Sequence, residues 1–188
     1  SSVVRTKVGS PFVIAGMEQA RRAGARAVVG FEANGGFLLG SDVRVGENVL
    51  GILPTRDAML PILASLAAAR AAGLSLADLV ASLDAGEMAS DRLPNTPAER
   101  SSAFLARLGE AGFRDDFLRP IGSPQAVDQQ DGIRIDLDGG RTIHFRASGN
   151  APELRCYAEA RSAQDAEDLV RWGLKAAASA MADEGAGA

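Results

Sequence analysis

The spacing of apolar and polar positions in the first part of the chain predicts a strand, a helix and a second strand. Residues 3–8 (VVRTKV) form a short apolar run typical of a strand, and PFVIAGMEQARRAG carries apolar residues at helical spacing. Pro11 suits an early helical position, and Gly24 lies where a helix should end. The β-branched run ARAVVGFE follows. This order predicts a βαβ unit with parallel strands, and therefore an α/β fold.

The next stretch predicts two helices and then a domain boundary. We expect a long helix from Thr55 to Gly73, with Pro61 kinking or dividing it because proline removes a backbone N–H. A short helix follows, with Ser75 as its N-cap. The proline-containing break DRLPNTPAER then predicts the boundary between a domain of residues 1–92 and a domain of residues 93–188.

Beyond this break the chain predicts strands joined by hairpins, with helices beside them. Residues 98–111 have the pattern of a helix, and GIRIDLDGGRTIHFRASG predicts a hairpin whose turn uses the glycines of residues 138–140. LRCYAEA predicts a further strand, and residues 162–181 predict a closing helix with Ser162 as its N-cap. Hairpin-paired strands with helices on one side make an α+β domain.

Composition narrows the possible functions. The chain has 188 residues, of which 46% are hydrophobic, so it can bury a substantial core. A formal net charge of −4 argues against a nucleic-acid-binding surface, which normally needs a basic excess. No apolar run is long enough to span a bilayer. The single cysteine, Cys156, cannot form an intramolecular disulfide, which fits a cytoplasmic location.

The first candidate binding loop is GFEANGG, residues 30–36, at the C-terminal end of a predicted strand. Ligands collect at that edge of α/β sheets. Glu32 offers an acceptor-only carboxylate and Asn34 offers both donors and an acceptor, which suits the binding of two sugar hydroxyls. The glycines would permit sharp turns and close ligand approach. The alternative interpretation is a glycine-rich turn with a solvated glutamate.

The second candidate loop is RASGN, residues 146–150, at the tip of the hairpin that leads into the strand LRCYAEA. Arg146 has a fork of donors suited to a phosphate group, and Ser148 adds a hydroxyl donor. Gly149 would let backbone N–H groups form an anion-binding nest, and Asn150 can donate from its amide. These residues predict a phosphate site that needs no metal. The alternative is an ordinary polar hairpin loop.

Other polar residues carry weaker signals. His144 has no carboxylate or cysteine partner nearby in the sequence, so a catalytic role is not predicted for it. The stretch DLDGG is better explained as a hairpin turn than as a metal site. Arg155 and Cys156 are expected to be strand positions, and Trp172 is expected in the core.

Three motifs together resemble one family, the α-D-phosphohexomutases of the phosphomannomutase/phosphoglucomutase type. GFEANGG is similar to the sugar-recognition loop Gly-(x)-Glu-x-Ser-Gly-Gly/His, with Asn34 in place of serine. RASGNAP is similar to the phosphate loop Arg-Pro-Ser-Gly-Thr-Glu-Pro. RTKVGSPFV resembles the third-domain segment Arg-Thr-x-Val-Gly-x-x-Tyr/Phe-Val. The motifs occur in the family's order and extend over nearly the whole chain.

The resemblance implies a four-domain enzyme that interconverts hexose 1-phosphate and hexose 6-phosphate through hexose 1,6-bisphosphate. This chain would be most of the α/β third domain followed by the whole α+β fourth domain, which has a TATA-box-binding-protein-like fold. The family's phosphoserine loop and its Asp-Gly-Asp-x-Asp-Arg magnesium loop belong to the first two domains, and neither pattern occurs here. We therefore expect no catalytic or metal-binding residue in this chain, no activity from the chain alone, and Mg²⁺ bound by an N-terminal domain.

The resemblance also assigns roles to the two loops. Glu32 and Asn34 would bind the hexose, and four residues would bind its phosphate: Arg146, Ser148, Gly149 and Asn150. Ser10 stands where some family members carry a substrate-facing histidine, so that contact is not carried over. The alternative function is a non-catalytic sugar-phosphate-binding or regulatory module. The choice among mannose, glucose and glucosamine is left open.

Overall fold

The computed structural model describes residues 2–32, 35–83 and 85–185, with side chains described up to residue 182. The chain divides into two compact units, Ser1–Asp84 and Ala85–Ala188. The expected boundary after residue 92 is thus too late in the chain. None of the helices in these ranges combines the length and the apolar character that a membrane crossing requires.

The first unit combines three helices with short antiparallel strands. In chain order its elements are α1 (Ser10–Arg22), β1 (Val29–Phe31), β2 (Phe37–Leu39), β3 (Val43–Val45), β4 (Asn48–Leu50), β5 (Leu53–Asp57), α2 (Met59–Ala72) and α3 (Leu76–Ala81). One sheet has the order β1-β2-β5, and β3 pairs with β4 as a separate hairpin. Every strand pair in this unit is antiparallel.

A small core holds α1 against the sheet of the first unit. Val13 and Met17 of α1 pack with Val28 and Leu38 in one buried cluster. Gly30 makes this packing possible, because a Cβ at that position would lie 2.3 Å from Cγ1 of Val13 and 2.8 Å from the Met17 sulfur. The first glycine of GFEANGG therefore has a structural role between helix and strand.

The predicted parallel βαβ unit is wrong for the described residues. Residues 3–8 form no strand, and Val3 and Val4 are exposed. β1 instead pairs antiparallel with β2, the next strand in the chain. A strand forms only where a neighbour accepts and donates its backbone hydrogen bonds, and the apolar pattern of residues 3–8 carries no information about that neighbour.

Helix α2 begins later than predicted, because residues 53–57 continue the sheet as β5. The carboxylate of Asp57 then accepts hydrogen bonds from the backbone N–H groups of Met59 (2.9 Å) and Leu60 (3.1 Å). Pro61 consequently lies in the first turn of α2, where a backbone N–H has no partner within the helix. The predicted kink is therefore not required.

The predicted helix ends and caps are otherwise confirmed. Gly73 ends α2 in the left-handed conformation at φ 66°. Ser75 Oγ accepts a hydrogen bond from the Asp78 N–H at 3.1 Å, and Ser162 Oγ accepts one from the Asp165 N–H at 3.1 Å. These features depend on groups within a few residues of each other, so the sequence alone identifies them.

The second unit is the predicted α+β domain, with one more strand at each edge of its sheet. Its elements are β6 (Glu87–Leu93), α4 (Ala98–Gly109), α5 (Ala111–Leu118), β7 (Pro124–Asp128), β8 (Ile133–Leu137), β9 (Thr142–Ala147), β10 (Leu154–Ala160) and α6 (Ala163–Gly185). The antiparallel sheet has the order β6-β10-β9-β8-β7. Because β6 pairs with β10 along its whole length, it belongs to this unit rather than to the first.

The helices of the second unit cover one face of its sheet. Alternate residues of β8, β9 and β10 enter the same buried cluster as residues of α4, α5 and α6. Phe104 of α4 packs edge-on against Phe145 of β9, with ring centroids 5.5 Å apart. Trp172 lies partly buried against this core, as predicted. Gly173 brings α6 close to the sheet, because a Cβ there would lie 3.1 Å from the Cys156 sulfur.

The opposite face of this sheet carries polar side chains. Strand alternation places five side chains on that face, and most of the residues that alternate with them are buried: Arg134, His144, Arg146, Arg155 and Tyr157. This face adjoins the RASGN loop at the end of β9.

Gly132, which precedes β8, offers a test of the fold. It has φ 79°, and a Cβ there would lie 2.2 Å from the backbone oxygen of Phe145. Gly140 has a similar φ of 75°, but a Cβ there would meet nothing within 4 Å. Both alanine variants should lose about 1–2 kcal/mol for the left-handed backbone. Gly132→Ala should lose ~1–3 kcal/mol more from overpacking against β9.

Denaturant unfolding of the two variants measures this difference. Equal losses for Gly132→Ala and Gly140→Ala would contradict the close approach of residue 132 to β9.

Candidate functional site

The first candidate loop is the hairpin connection between β1 and β2. The Gly35 N–H donates to the Glu32 carbonyl at 3.0 Å, and the Glu32 N–H donates to the Gly36 carbonyl at 2.8 Å. Gly35 has φ 86°, a conformation that favours glycine. The loop is therefore a hairpin tip and does not follow a parallel strand. Asn34, which was predicted to bind sugar hydroxyls, lies outside the described residues.

Glu32 is a paired and largely buried carboxylate. Its side chain is 7% exposed, with Oε2 3.7 Å from Nε of Arg56. The hydroxyl of Ser10 donates to the same oxygen at 3.1 Å. A carboxylate removed from water needs such compensation. The alternative interpretation of a solvated glutamate is therefore wrong.

Arg56 was not recognised from the sequence, because nothing within its PTRDA segment connects it with Glu32. It lies on β5, two strands from β1, and the sheet brings it to the loop. Together with Gly35, Gly36, Asp57 and Ala58 it lines an open depression of about 360 Å³.

The second candidate loop joins β9 to β10, as the hairpin pattern predicted. The Ser148 N–H donates to the Glu153 carbonyl at 3.0 Å, and the Glu153 N–H donates to the Ala151 carbonyl at 2.9 Å. The Ser148 hydroxyl donates to Oδ1 of Asn150 at 3.0 Å. That bond uses the amide oxygen of Asn150, so its NH₂ group remains the side chain's donor to a ligand.

The tip of this loop retains unused donors. Within the described ranges, the backbone N–H groups of Gly149, Asn150 and Ala151 donate to no protein group. Neither Gly149 nor Asn150 has a positive φ, so the alternating conformation of the predicted nest is not present. A Cβ at Gly149 would meet nothing within 4 Å. The space beside this glycine is therefore open to a ligand.

Arg146 is held at the end of β9 by Asp131. Its Nε lies 2.9 Å from Oδ2 of Asp131, and the two side chains are mostly buried. This contact is an ion pair without the alignment of a hydrogen bond, since Nε has no hydrogen-bond partner. In the part of the chain that the structure describes, neither Nη group of Arg146 donates a hydrogen bond, although the guanidinium is ion-paired with Asp131. The N–H donors of the Nη groups are therefore not used by a protein acceptor in these residues.

Glu153 anchors the other end of the loop. It is 8% exposed, and its Oε1 accepts a hydrogen bond from Nε of Arg155 at 2.8 Å. Its Oε2 lies 3.4 Å from Nε of Arg92. The hydrogen bond from Arg155 to Glu153 raises the pKa of that guanidinium above its ordinary value. The Pro152 carbonyl accepts a hydrogen bond from the Thr96 N–H at 2.8 Å. Arg155 is close to Glu153 in sequence, but Arg92 and Thr96 are distant, and no local motif identifies them.

His144 and Cys156 both have pKa values shifted by burial. Burial lowers the pKa of His144 below 6.5, although the Asp131 carbonyl, 2.6 Å from its Nε2, acts in the opposite direction. The imidazole is therefore neutral at pH 7. Burial, with a smaller contribution from Asp91, raises the pKa of the Cys156 thiol to about 12. Both residues are strand positions, as predicted for Cys156.

Each of the two carboxylates of DLDGG forms an ion pair with an arginine. Asp136 lies 2.6 Å from Arg134, and Asp138 lies 2.5 Å from Arg141. Residues 138–140 form the turn between β8 and β9, which confirms the hairpin. Across the described residues, no group of three or more His, Cys, Asp or Glu side chains is placed to hold a metal ion.

Two family models match consecutive parts of the chain. Residues 1–85 match the phosphoglucomutase/phosphomannomutase α/β/α domain III, and residues 95–171 match the C-terminal domain of the same family. The chain belongs to the phosphoglucomutase/phosphomannomutase family. Its two domains occur in the order that the sequence motifs predicted.

Two relatives in this family are named phosphomannomutase. The protein of Sinorhizobium fredii is 46% identical over 181 residues, which cover 95% of this chain and 38% of the relative. The protein of Salmonella muenchen is 45% identical over 172 residues, which cover 89% of this chain and 35% of the relative. The chain thus spans less than two-fifths of the length of either phosphomannomutase.

A solved structure shares the fold. The crystal structure of a phosphoglucomutase/phosphomannomutase family protein from Burkholderia thailandensis aligns with a TM-score of 0.54 and 21% identity. The alignment covers 92% of this chain and 32% of that protein. At this identity the likeness concerns the fold alone.

The buried neutral histidine leads to a pH prediction. Because folding lowers the pKa of His144, the unfolded chain binds more protons as the pH falls through 6.5. His144 should therefore reduce stability on the acid side and have no such effect above that pH. The groups around its ring are Asp131, Arg134, Arg146 and Tyr157.

Urea unfolding of the parent and of His144→Gln at pH 8 and pH 5.5 tests this prediction. The variant should gain stability relative to the parent between pH 8 and pH 5.5. A stability difference that is the same at both pH values would show that the pKa of His144 is not lowered.

Proposed function

We propose that this chain forms the sugar- and phosphate-recognition region of a phosphohexomutase. The complete enzyme would interconvert hexose 1-phosphate and hexose 6-phosphate through hexose 1,6-bisphosphate. Membership in the family and two relatives named phosphomannomutase support this proposal. A TATA-box-binding-protein-like fold for the second unit and a cytoplasmic location remain predictions. The antiparallel sheet with helices on one face is compatible with the former.

The RASGN loop is the main structural support for phosphate binding. Within the described residues, it combines Nη groups of Arg146 that donate no hydrogen bond with unused backbone N–H groups from Gly149 onward and an open space beside that glycine. An arginine fork and backbone N–H groups are the donors that phosphate oxygens prefer. Ser148 and Asn150 would complete the site through a hydroxyl and an amide NH₂ group.

The GFEANGG loop would bind the hexose. A carboxylate accepts hydrogen bonds from hydroxyl groups and repels phosphate, so Glu32 suits the sugar rather than the anion. Asn34 is proposed as the second sugar-binding residue, on the basis of the family motif. In this proposal GFEANGG recognises the sugar and RASGN recognises the phosphate.

Binding of this kind contributes directly to phosphoryl transfer. In such reactions most of the catalysis comes from positioning and from charge stabilisation. A phosphate site that makes no contact with the sugar can hold either the 1-phosphate or the 6-phosphate. The substrate could therefore reverse its orientation between the two transfer steps while Arg146 binds whichever phosphate is not transferred.

We propose that the reacting groups lie in further domains of the same enzyme. The phosphoserine and Mg²⁺ loops of the family have no counterpart in this sequence, and no carboxylate cluster in the described ranges fits the metal. Exposed apolar side chains of the first unit support additional packing partners. They include Val29, Phe31, Ile62, Leu63 and Leu66.

Activity should depend on those further domains. The chain alone should not convert mannose 1-phosphate to the 6-phosphate, because substrate binding without the reacting groups gives no turnover. Residues 1–188 substituted for the matching region of the Sinorhizobium fredii phosphomannomutase should support that conversion. A coupled assay for the 6-phosphate measures both.

The control is the same hybrid with Arg146→Ala, which should have low activity. Turnover by the isolated chain would contradict the proposed location of the reacting groups. If the chain binds hexose phosphate but leaves the hybrid inactive, the non-catalytic binding module becomes the better explanation.

Substitutions in RASGN should weaken hexose-phosphate binding in a fixed order. Arg146→Ala should cost roughly 2–4 kcal/mol, because it removes a largely buried charged partner. Arg146→Lys should recover only part of this loss, since an ammonium cannot form a bidentate contact. Ser148→Ala should cost less, about 1.5–3 kcal/mol at most for one hydrogen bond to a charged group.

Calorimetric titration with a hexose phosphate, together with a melting curve for each variant, measures this order. Arg119→Ala is a suitable control, since that arginine is exposed and pairs only locally with Asp116. If Arg146→Ala binds like the parent, or if it unfolds the domain, the loop is a structural hairpin cap.

A further inference from the structure

The carboxylate of Glu32 is held through one of its two oxygens. The Ser10 hydroxyl and the Arg56 guanidinium both contact Oε2, at 3.1 Å and 3.7 Å. Within the described residues, no hydrogen bond to Oε1 is found. A carboxylate turns readily about its last side-chain torsion unless partners fix it. Oε2 is therefore held by protein partners, whereas Oε1 can accept a hydrogen bond from a ligand.

The two partners come from different elements of the first unit. Ser10 is the first residue of α1, and α1 is seated on β1 through Gly30. Arg56 belongs to β5, which pairs with β2 next to the loop. A side chain held from a helix and from a neighbouring strand is positioned more accurately than one held only by its own loop.

Arg56 differs from Glu32 in exposure. Its side chain is 56% exposed, whereas that of Glu32 is 7% exposed. The arginine therefore compensates a desolvated charge from the rim of the depression, and its stabilising effect is reduced by solvent. The Arg56 contact of 3.7 Å joins Nε to Oε2, the same oxygen that accepts from Ser10.

We propose that Ser10 and Arg56 are positioning residues that orient Glu32 so that Oε1 accepts a hydrogen bond from a hexose hydroxyl. This inference rests on the proposed function of Glu32 in sugar binding. It adds two residues to the sugar site, and neither of them needs to touch the substrate.

A double-mutant cycle in the complete mutase tests whether Arg56 acts through Glu32. Glu32→Gln should lower kcat/KM for mannose 1-phosphate about a hundredfold, and Arg56→Met about tenfold, within the range of coupled neighbours. The double variant should resemble Glu32→Gln to within about twofold, because the carboxylate that Arg56 orients is already gone. Ser10→Ala should show the same dependence on Glu32 with a smaller effect.

The controls separate positioning from folding and from direct phosphate contact. Arg44→Met removes an arginine of β3 that has no ion pair in the described part of the chain, and it should leave kcat/KM unchanged. Arg56→Lys should restore part of the activity of Arg56→Met. Inhibition by inorganic phosphate should be the same for Arg56→Met and the parent, and melting curves should coincide within a few degrees.

Each result has a distinct meaning. If Glu32→Gln leaves kcat/KM unchanged, the proposed sugar-binding role fails and this inference fails with it. If Glu32→Gln is impaired but Arg56→Met is fully additive to it, or unchanged from the parent, only the positioning role is overturned. Weaker inhibition by phosphate in Arg56→Met would show that Arg56 binds the anion directly, which also overturns it.

Discussion

Both candidate loops depend on an ion pair between a buried carboxylate and arginine. Glu32 and Glu153 are each less than a tenth exposed; Glu32 is paired with Arg56 of β5, and Glu153 with Arg92 of β6 and Arg155 of β10. Removing one partner of such a pair leaves an uncompensated charge, which costs far more than an exposed ion pair contributes. The carboxylates therefore anchor both loops, and within the described residues the tip of RASGN keeps unused backbone N–H donors.

Close backbone approach is the second constraint on the sites. Gly30 admits α1 against β1, which places Ser10 beside Glu32. Gly132 lets the turn before β8 approach β9, and the adjacent Asp131 then pairs with Arg146. In both cases a missing Cβ decides whether a charged or polar side chain reaches its partner. The polar geometry of each loop thus depends on a glycine outside the loop tip or at its edge.

The two units differ in how much of their apolar surface is buried. The second unit has a continuous core in which three helices pack on one sheet face, with four aromatic rings in edge contacts. The core of the first unit consists of Val13, Met17, Val28 and Leu38, and its helix α2 buries only Ala69. Burial of apolar area is the main driving force of folding. The second unit therefore has the greater internal source of stability.

The sequence by itself determined the features that are satisfied within a few residues. These include the cap at Ser75, the helix end at Gly73 and the turn at residues 138–140. Only the tertiary structure shows which strands pair, including the pairing that makes β6 part of the second unit. It also shows that Glu32 forms an ion pair with Arg56 and that Arg146 forms one with Asp131. An apolar run shows that a segment can form a strand, but its ladder partner lies elsewhere in the chain. The same holds for a charge, because its counter-charge is chosen by the fold that brings distant residues together.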